Sequence, residues 1–136
     1  MKALGVDLGA RRIGLAVSAG TLALPHATIA RSGDPTADRS AIVAVARDEG
    51  CDTIVVGLAR SLDGGEGSAA VQGRKEIAAI RELVPEISVV EHDERFTTVI
   101  AERELRSAGV APRRRRGVVD ETAAAVMLQS FLDAAS

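Results

Sequence analysis

Three acidic segments carry the chemistry this sequence can offer: Asp7, the pair Asp93-Glu94, and Asp120. Asp7 sits in a short apolar run, Ala3 to Leu8, whose alternation puts it on the face of Ala3 and Gly5, opposite Leu4, Val6 and Leu8. A carboxylate there is costly to bury unless it is paired or holds a metal. The plainer alternative is a strand-end Asp that accepts hydrogen bonds from the turn at Gly9. Asp120 shares helical spacing with Ala123, Ala124, Met127, Leu128 and Phe131, so it points with that apolar stripe toward a sheet. On a helix starting near Val119 it has a second possible use, as an N-cap or a dipole-favoured acid. Asp93-Glu94 lies just past a strand ending near Val90, the kind of strand end where α/β sheets form binding crevices. Adjacent residues face opposite ways, and Glu94 is the favoured member of the pair.

Carboxylates gathered from separate elements repel one another. Divalent cations relieve the repulsion, and hard oxygen donors select Mg²⁺ or Mn²⁺. Two such ions about 4 Å apart activate a water and stabilise the leaving oxygen of a phosphodiester. The expectation is a catalytic set of Asp7, Glu94 and Asp120, with Asp7, Asp93, Glu94 and Asp120 as metal ligands. His26 and His92 are the only histidines and Cys51 the only cysteine, and they form no convincing Ser/His/Asp or Cys/His arrangement. His92, beside the acidic pair, is the less ordinary of the two histidines.

Positive charge is concentrated in Arg113-Arg114-Arg115-Arg116, expected as a loop that grips a nucleic-acid backbone or else as a solvated charged loop. Arg11, Arg12 and Arg95 complete the expected nucleic-acid contacts. The segment Asp63-Gly64-Gly65-Glu66-Gly67-Ser68 leads into a helix and offers backbone N–H groups to a phosphate. It lacks the Gly-Lys-Ser/Thr ending of a P-loop, so a connector explains it equally well.

These residues need a scaffold. Strands are expected over Ala3–Leu8, Arg12–Ser18 and Leu24–Ala30, the last with Pro25 near its start. Helix Ala37–Glu49 closes at Gly50, and Asp52–Leu58 is a β-branched run suited to an interior parallel strand. A glycine-rich loop over 62–68 precedes helix Ala69–Leu83; strand Ile87–Val90, helix Thr97–Ala108 and a last helix Val119–Ala134 follow. Three antiparallel strands followed by alternating helices and strands imply an α/β domain, a mixed five-stranded sheet with helices on both faces.

The bulk numbers agree. A chain of 136 residues is one domain. With Phe96 and Phe131 as the sole aromatics, the core must be aliphatic, and the scarcity weakens any reading as a single-strand binder with an aromatic stacking platform. The net charge of −2 does not advertise a nucleic-acid binder, so charge distribution matters more than the total. Neither a secretory signal nor an apolar span is visible, and the expected location is the cytoplasm, away from any membrane.

Several segments together resemble the YqgF family of Holliday junction resolvase-like proteins, also called RuvX. They are Leu4-Gly5-Val6-Asp7-Leu8-Gly9 with Arg12-Ile13-Gly14-Leu15-Ala16-Val17-Ser18, Val56-Gly57-Leu58, Asp63-Gly64 with Glu66-Gly67, Asp93-Glu94-Arg95-Phe96-Thr97-Thr98 with Ala101-Glu102, and Val119-Asp120 with Ala123-Ala124 and Leu128-Gln129. The Asp-Glu-Arg-x-Thr-Thr block is the most specific of them. The resemblance implies an RNase H-like fold, Mg²⁺- or Mn²⁺-dependent hydrolysis, and maturation of the 5′ end of pre-16S rRNA, with branched DNA as an alternative substrate. By motif position it puts Asp7, Asp120 and the Asp93-Glu94 pair in the family's acidic site. The chain departs from the family at Ala59, where Gly-Leu-Pro is usual, and in an all-Arg basic segment.

Three functions stay in contention: a nuclease for structured RNA, a junction-resolving DNA endonuclease working as a homodimer, and an rRNA-binding assembly factor that does not cut. An actin-like ATPase, which the Gly-x-Asp-x-Gly segment also suggests, needs two such domains where this chain has one.

Overall fold

The computed structural model describes residues 1–58, 68–93 and 112–135, with 68–70 and 112–119 described by their backbone. In chain order the elements are β1 (Ala3–Leu8), β2 (Arg12–Ala19), β3 (Leu22–Ala30), α1 (Pro35–Asp48), β4 (Thr53–Leu58), α2 (Ser68–Leu83), β5 (Ser88–Asp93) and α3 (Pro112–Ala135). The five strands form one sheet in the order β3-β2-β1-β4-β5. β1–β2 and β2–β3 are antiparallel, whereas β4 runs parallel to β1 and β5 parallel to β4. This is the expected mixed sheet. The expected loop at 62–68, apart from Ser68, and the helix at 97–108 lie outside the described residues.

Alternation divides the sheet into two unlike faces. Leu4, Val6, Ile13, Leu15, Ile54, Val56 and Val89 pack with Ile42 and Val43 of α1 and Ile77 and Ile80 of α2. The other face is small: Ala3, Ala16, Ala23 and Val55 meet Ala124, Ala125, Met127, Leu128 and Leu132 of α3. Glycines bring α3 closer still. A Cβ on Gly5 would lie 2.9 Å from Leu128 Cβ and 3.2 Å from the Ala124 carbonyl oxygen, and a Cβ on Gly14 would overlap the Asp120 carbonyl.

Local chemistry sets the helix ends. Asp34 caps α1, its side chain accepting from Thr36 N–H at 3.0 Å, with Pro35 in the first turn. The helix therefore starts two residues before the expected Ala37. At the other end, Gly50 adopts φ +68°, while Cys51 N–H donates to Ala46 O at 2.8 Å and Gly50 N–H to Arg47 O at 3.1 Å. That pair of bonds is a Schellman termination, and it confirms Gly50 as the stop.

Three boundaries differ in ways that matter. β3 begins at Leu22, so Pro25 lies well inside it; β3 is an edge strand, and its register shifts opposite Leu15/Ala16, where a missing donor is tolerated. β5 runs on to Asp93, three residues past the expected end, because Glu91, His92 and Asp93 pair with Val56, Gly57 and Leu58. Finally, α3 begins at Pro112, so the backbone of Arg113–Arg116 is helical where a loop was expected. Pro suits a first helical position and Arg is a good helix former.

Gly14→Ala is expected to destabilise the fold more than Gly5→Ala. Both would push α3 away, but a Cβ at Gly14 runs into the Asp120 main chain far more deeply than a Cβ at Gly5 approaches Leu128 Cβ and the Ala124 carbonyl; overpacking of this kind costs about 1–3 kcal/mol. Urea unfolding of both variants checks this, and equal midpoints would mean that α3 shifts freely over β2.

Candidate active site

Asp7 is half-buried near the end of β1, and its two in-register neighbours are both glycines: Gly14 on β2 and Gly57 on β4. Next along the same row is His92, paired with Gly57. Directly opposed residues share a face, so the row Gly14–Asp7–Gly57–His92 faces α3, and neither of Asp7's immediate neighbours carries a side chain. The Gly14 position is filled from above by the main chain of Asp120. Asp7 and Asp120 are thus both immediate neighbours of Gly14, one within the sheet and one from the helix.

Arg12 joins them. Two residues before Gly14 on the same face of β2, its Nε donates to Asp120 Oδ2 in a partly exposed ion pair. Because α3 starts at Pro112, Asp120 lies in its third turn. An N-cap or first-turn role for this carboxylate is thereby removed, and its contacts are with β2.

The remaining candidates separate. Asp93 closes β5 opposite Leu58, on the row that faces α1 and α2 and not on the row of Asp7. Glu94 and Arg95 lie outside the described residues. Arg11 is exposed in the β1–β2 turn, where its carbonyl accepts from Arg31 N–H at 2.9 Å. Among the described residues, no group of three His, Cys, Asp or Glu side chains is arranged to hold a metal ion. Asp7 and Asp120 contribute hard oxygen donors of the type that Mg²⁺ and Mn²⁺ take, and a third carboxylate is required to complete such a set.

His92 Nε2 lies 3.0 Å from Ser130 Oγ, and the ring meets Phe131 edge-on at 5.8 Å between centroids. It is tied into the β5–α3 contact. Cys51 is buried at the far end of the sheet, and burial pushes its thiol pKa up, which suits an inert core residue and not a nucleophile.

In the sequence Gly57 stands out only within the Val56-Gly57-Leu58 motif and without a role; in the sheet it is the residue without a side chain between Asp7 and His92. The sequence reading missed Arg31 and Glu76, which ion-pair at 3.2 Å behind the β1–β2 turn. Gly57 was legible as a glycine inside a β-branched strand, where a close approach is a standing reason for one. Arg31 and Glu76 are 45 residues apart and left no local signal.

A sheet of this order with an acidic site where α3 crosses the β1–β2 pair defines an RNase H-like domain. The structure of Thermus thermophilus RuvC in complex with a Holliday junction substrate superposes with a TM-score of 0.63 over 99% of this chain and 95% of that one, at 14% identity. A second T. thermophilus RuvC structure gives 0.58 over 99% and 96%. These likenesses establish the fold.

The family description "RuvX: Holliday junction resolvase" matches residues 1–134, and the chain belongs to that family. Relatives carry the provisional name pre-16S rRNA nuclease. One from Kineococcus radiotolerans is 45% identical over 133 residues, covering 96% of this chain and 71% of that protein. Another from Anaeromyxobacter dehalogenans is 44% identical over 135 residues, covering 98% and 97%. Within the described residues, no helix is long and apolar enough to cross a membrane.

A double-mutant cycle of Arg12→Gln and Asp120→Asn, followed by chemical unfolding in EDTA, is expected to show favourable coupling of up to about 1 kcal/mol at low salt. The coupling should shrink as salt rises. Strict additivity would mean that the two side chains part in solution.

Proposed function

We propose that the chain is a divalent-metal-dependent nuclease that matures the 5′ end of pre-16S rRNA in the cytoplasm. The observation that carries this reading is the convergence of Asp7 and Asp120 on Gly14. Packing brings two acidic residues to neighbouring positions there, although their charges oppose it, and cation binding is the chemical use of such a pair.

Asp7, Asp120 and one member of the Asp93-Glu94 pair would hold Mg²⁺ or Mn²⁺. Glu94 is the better third ligand, because strand alternation turns Asp93 toward the α1–α2 face. When bound, the ions supply Lewis-acid activation of water and charge stabilisation at the leaving oxygen. The chain's own residues orient the substrate. Arg12 has a guanidinium beside the Asp120 carboxylate that suits two-point contact with a phosphate. Arg11, Arg95 and Arg113–Arg116 extend the positive surface for a nucleic-acid backbone. The tetrad lies at the start of α3, where its charge adds to the positive end of the helix dipole, and a polyanion relieves both.

Resolution of branched DNA is the second reading, favoured by the family's description as a Holliday junction resolvase. It calls for a homodimer, since two sites must cut symmetry-related strands.

The deciding experiment is cleavage of labelled precursor rRNA, linear DNA and four-way junctions with Mn²⁺, Mg²⁺ or EDTA. Asp7→Asn and Asp120→Asn should each lower the rate by more than about a hundredfold while the circular dichroism spectrum and melting curve persist. Near-normal cutting by either variant would sink the site assignment. Binding without cleavage by the wild type would point instead to a non-catalytic rRNA-binding assembly factor. Replacing Arg113–Arg116 with Ala should weaken binding and flatten its salt dependence, by a log–log slope of about 0.7–0.9 for each phosphate no longer neutralised. An unchanged slope would leave the tetrad as solvated charge.

A further inference from the structure

We infer that Arg31 and the nearly buried Glu76 form a positioning strut that holds the β1–β2 turn, and with it Asp7 and Arg12, at the height needed for cleavage. The inference rests on the nuclease reading above. The turn closes on itself through one bond, Gly9 N–H to Arg12 O at 2.9 Å. Behind it lies a cavity of about 230 Å³, lined by Gly9 and Ala10 on the turn side and by Gln72 and Gly73 of α2 on the other. Among the described residues, Arg31 and Glu76 are the long side chains that line this pocket and bridge from the turn to α2.

Arg31 spans the gap. Its Nε donates to Gly9 O at 2.8 Å, its main-chain N–H donates to Arg11 O at 2.9 Å, and its Nη1 reaches Glu76 Oε1 at 3.2 Å. Glu76 is almost wholly buried, with 7% of its side chain exposed, and its other oxygen faces Arg39 Nε at 3.5 Å. One arginine thus links α2 to both ends of the turn that joins Asp7 to Arg12, its guanidinium holding Gly9 and Glu76 and its main chain holding Arg11. A buried carboxylate with two guanidinium neighbours is a fixed anchor, because leaving either charge unmatched is costly.

Arginine is required for this task, since its planar fork donates in two directions at once. A lysine keeps the charge beside Glu76 and loses the second arm to Gly9. Arg31→Lys is therefore the discriminating variant, with Glu76→Gln as its complement. Ile80→Val, a fully buried position on the same helix, serves as the control for lost stability alone.

Hydrogen exchange and cleavage kinetics are measured on all three. In Arg31→Lys and Glu76→Gln the Gly9 and Arg31 amides should exchange about tenfold faster or more, and in Ile80→Val they should not. Displacement of the turn should lower kcat by about tenfold to a hundredfold with KM nearly unchanged. Wild-type exchange and kcat in Arg31→Lys would overturn the strut, as would losses no greater than those of Ile80→Val. Faster exchange with unchanged kcat would overturn its role in cleavage. Should the wild type cut no substrate, the nuclease reading fails, while exchange still decides whether the pair holds the turn.

Discussion

The structure depends on how closely α3 can lie on the β1–β2 pair. A helix packed on a sheet through leucines and isoleucines stands well clear of the strand backbone, as α1 and α2 do on the opposite face. Across the α3 face, alanines and two glycines replace them, until the Asp120 carbonyl occupies the position a Gly14 side chain would need. That approach brings a helix residue and a strand residue to one point, and Asp120 reaches the row of Asp7 because of it. The composition follows the same demand: the single aromatic known to pack on this face is Phe131, at the margin beside His92.

Much of this was legible in the sequence. Alternation at Leu4, Val6, Ile13 and Leu15 gave the strands and their buried face, Asp52–Leu58 read as an interior strand and forms one from Thr53, and Gly50 marked the end of α1. The stripe Ala123, Ala124, Met127, Leu128 correctly turned α3 toward the sheet, and Asp120 with it. The errors share a physical origin. At Asp93, strand pairing with Leu58 extended β5 where local composition suggested a loop, because ladder bonds outweigh the weak β-propensity of acidic residues. At Arg113–Arg116, a run of like charge suggested a loop, although arginine is a good helix former and Pro112 is a good first residue. The Arg31–Glu76 pair was invisible because only tertiary structure makes it.

The two faces of the sheet therefore divide the labour. The α1–α2 face carries the large aliphatic core, where full burial of each Leu, Ile or Val contributes about 1.5–3 kcal/mol. It also holds the one nearly buried charge cluster seen among the described residues, Glu76 with Arg31 and Arg39, at its edge. The α3 face gains less from each small residue it buries. What it gains is proximity: main chain lies near main chain, with side chains that carry chemistry only at the end of the row. Ser130 and Phe131 fix the far side of that row through His92, so α3 is registered on β5 as well as on β2.

That registration bears on when the Asp7–Asp120 arrangement forms. Two carboxylates drawn toward one point at a protein surface would repel by roughly 1–4 kcal/mol at contact distance. Against this stand Met127 and Leu128, both essentially inaccessible to solvent on the same helix, and Leu132 close behind. Each large side chain is worth about as much as the whole repulsion. Arg12 reduces the repulsion further by pairing with Asp120. Packing outweighs such a repulsion, so the fold itself holds the Asp120 main chain against Gly14, the in-register neighbour of Asp7.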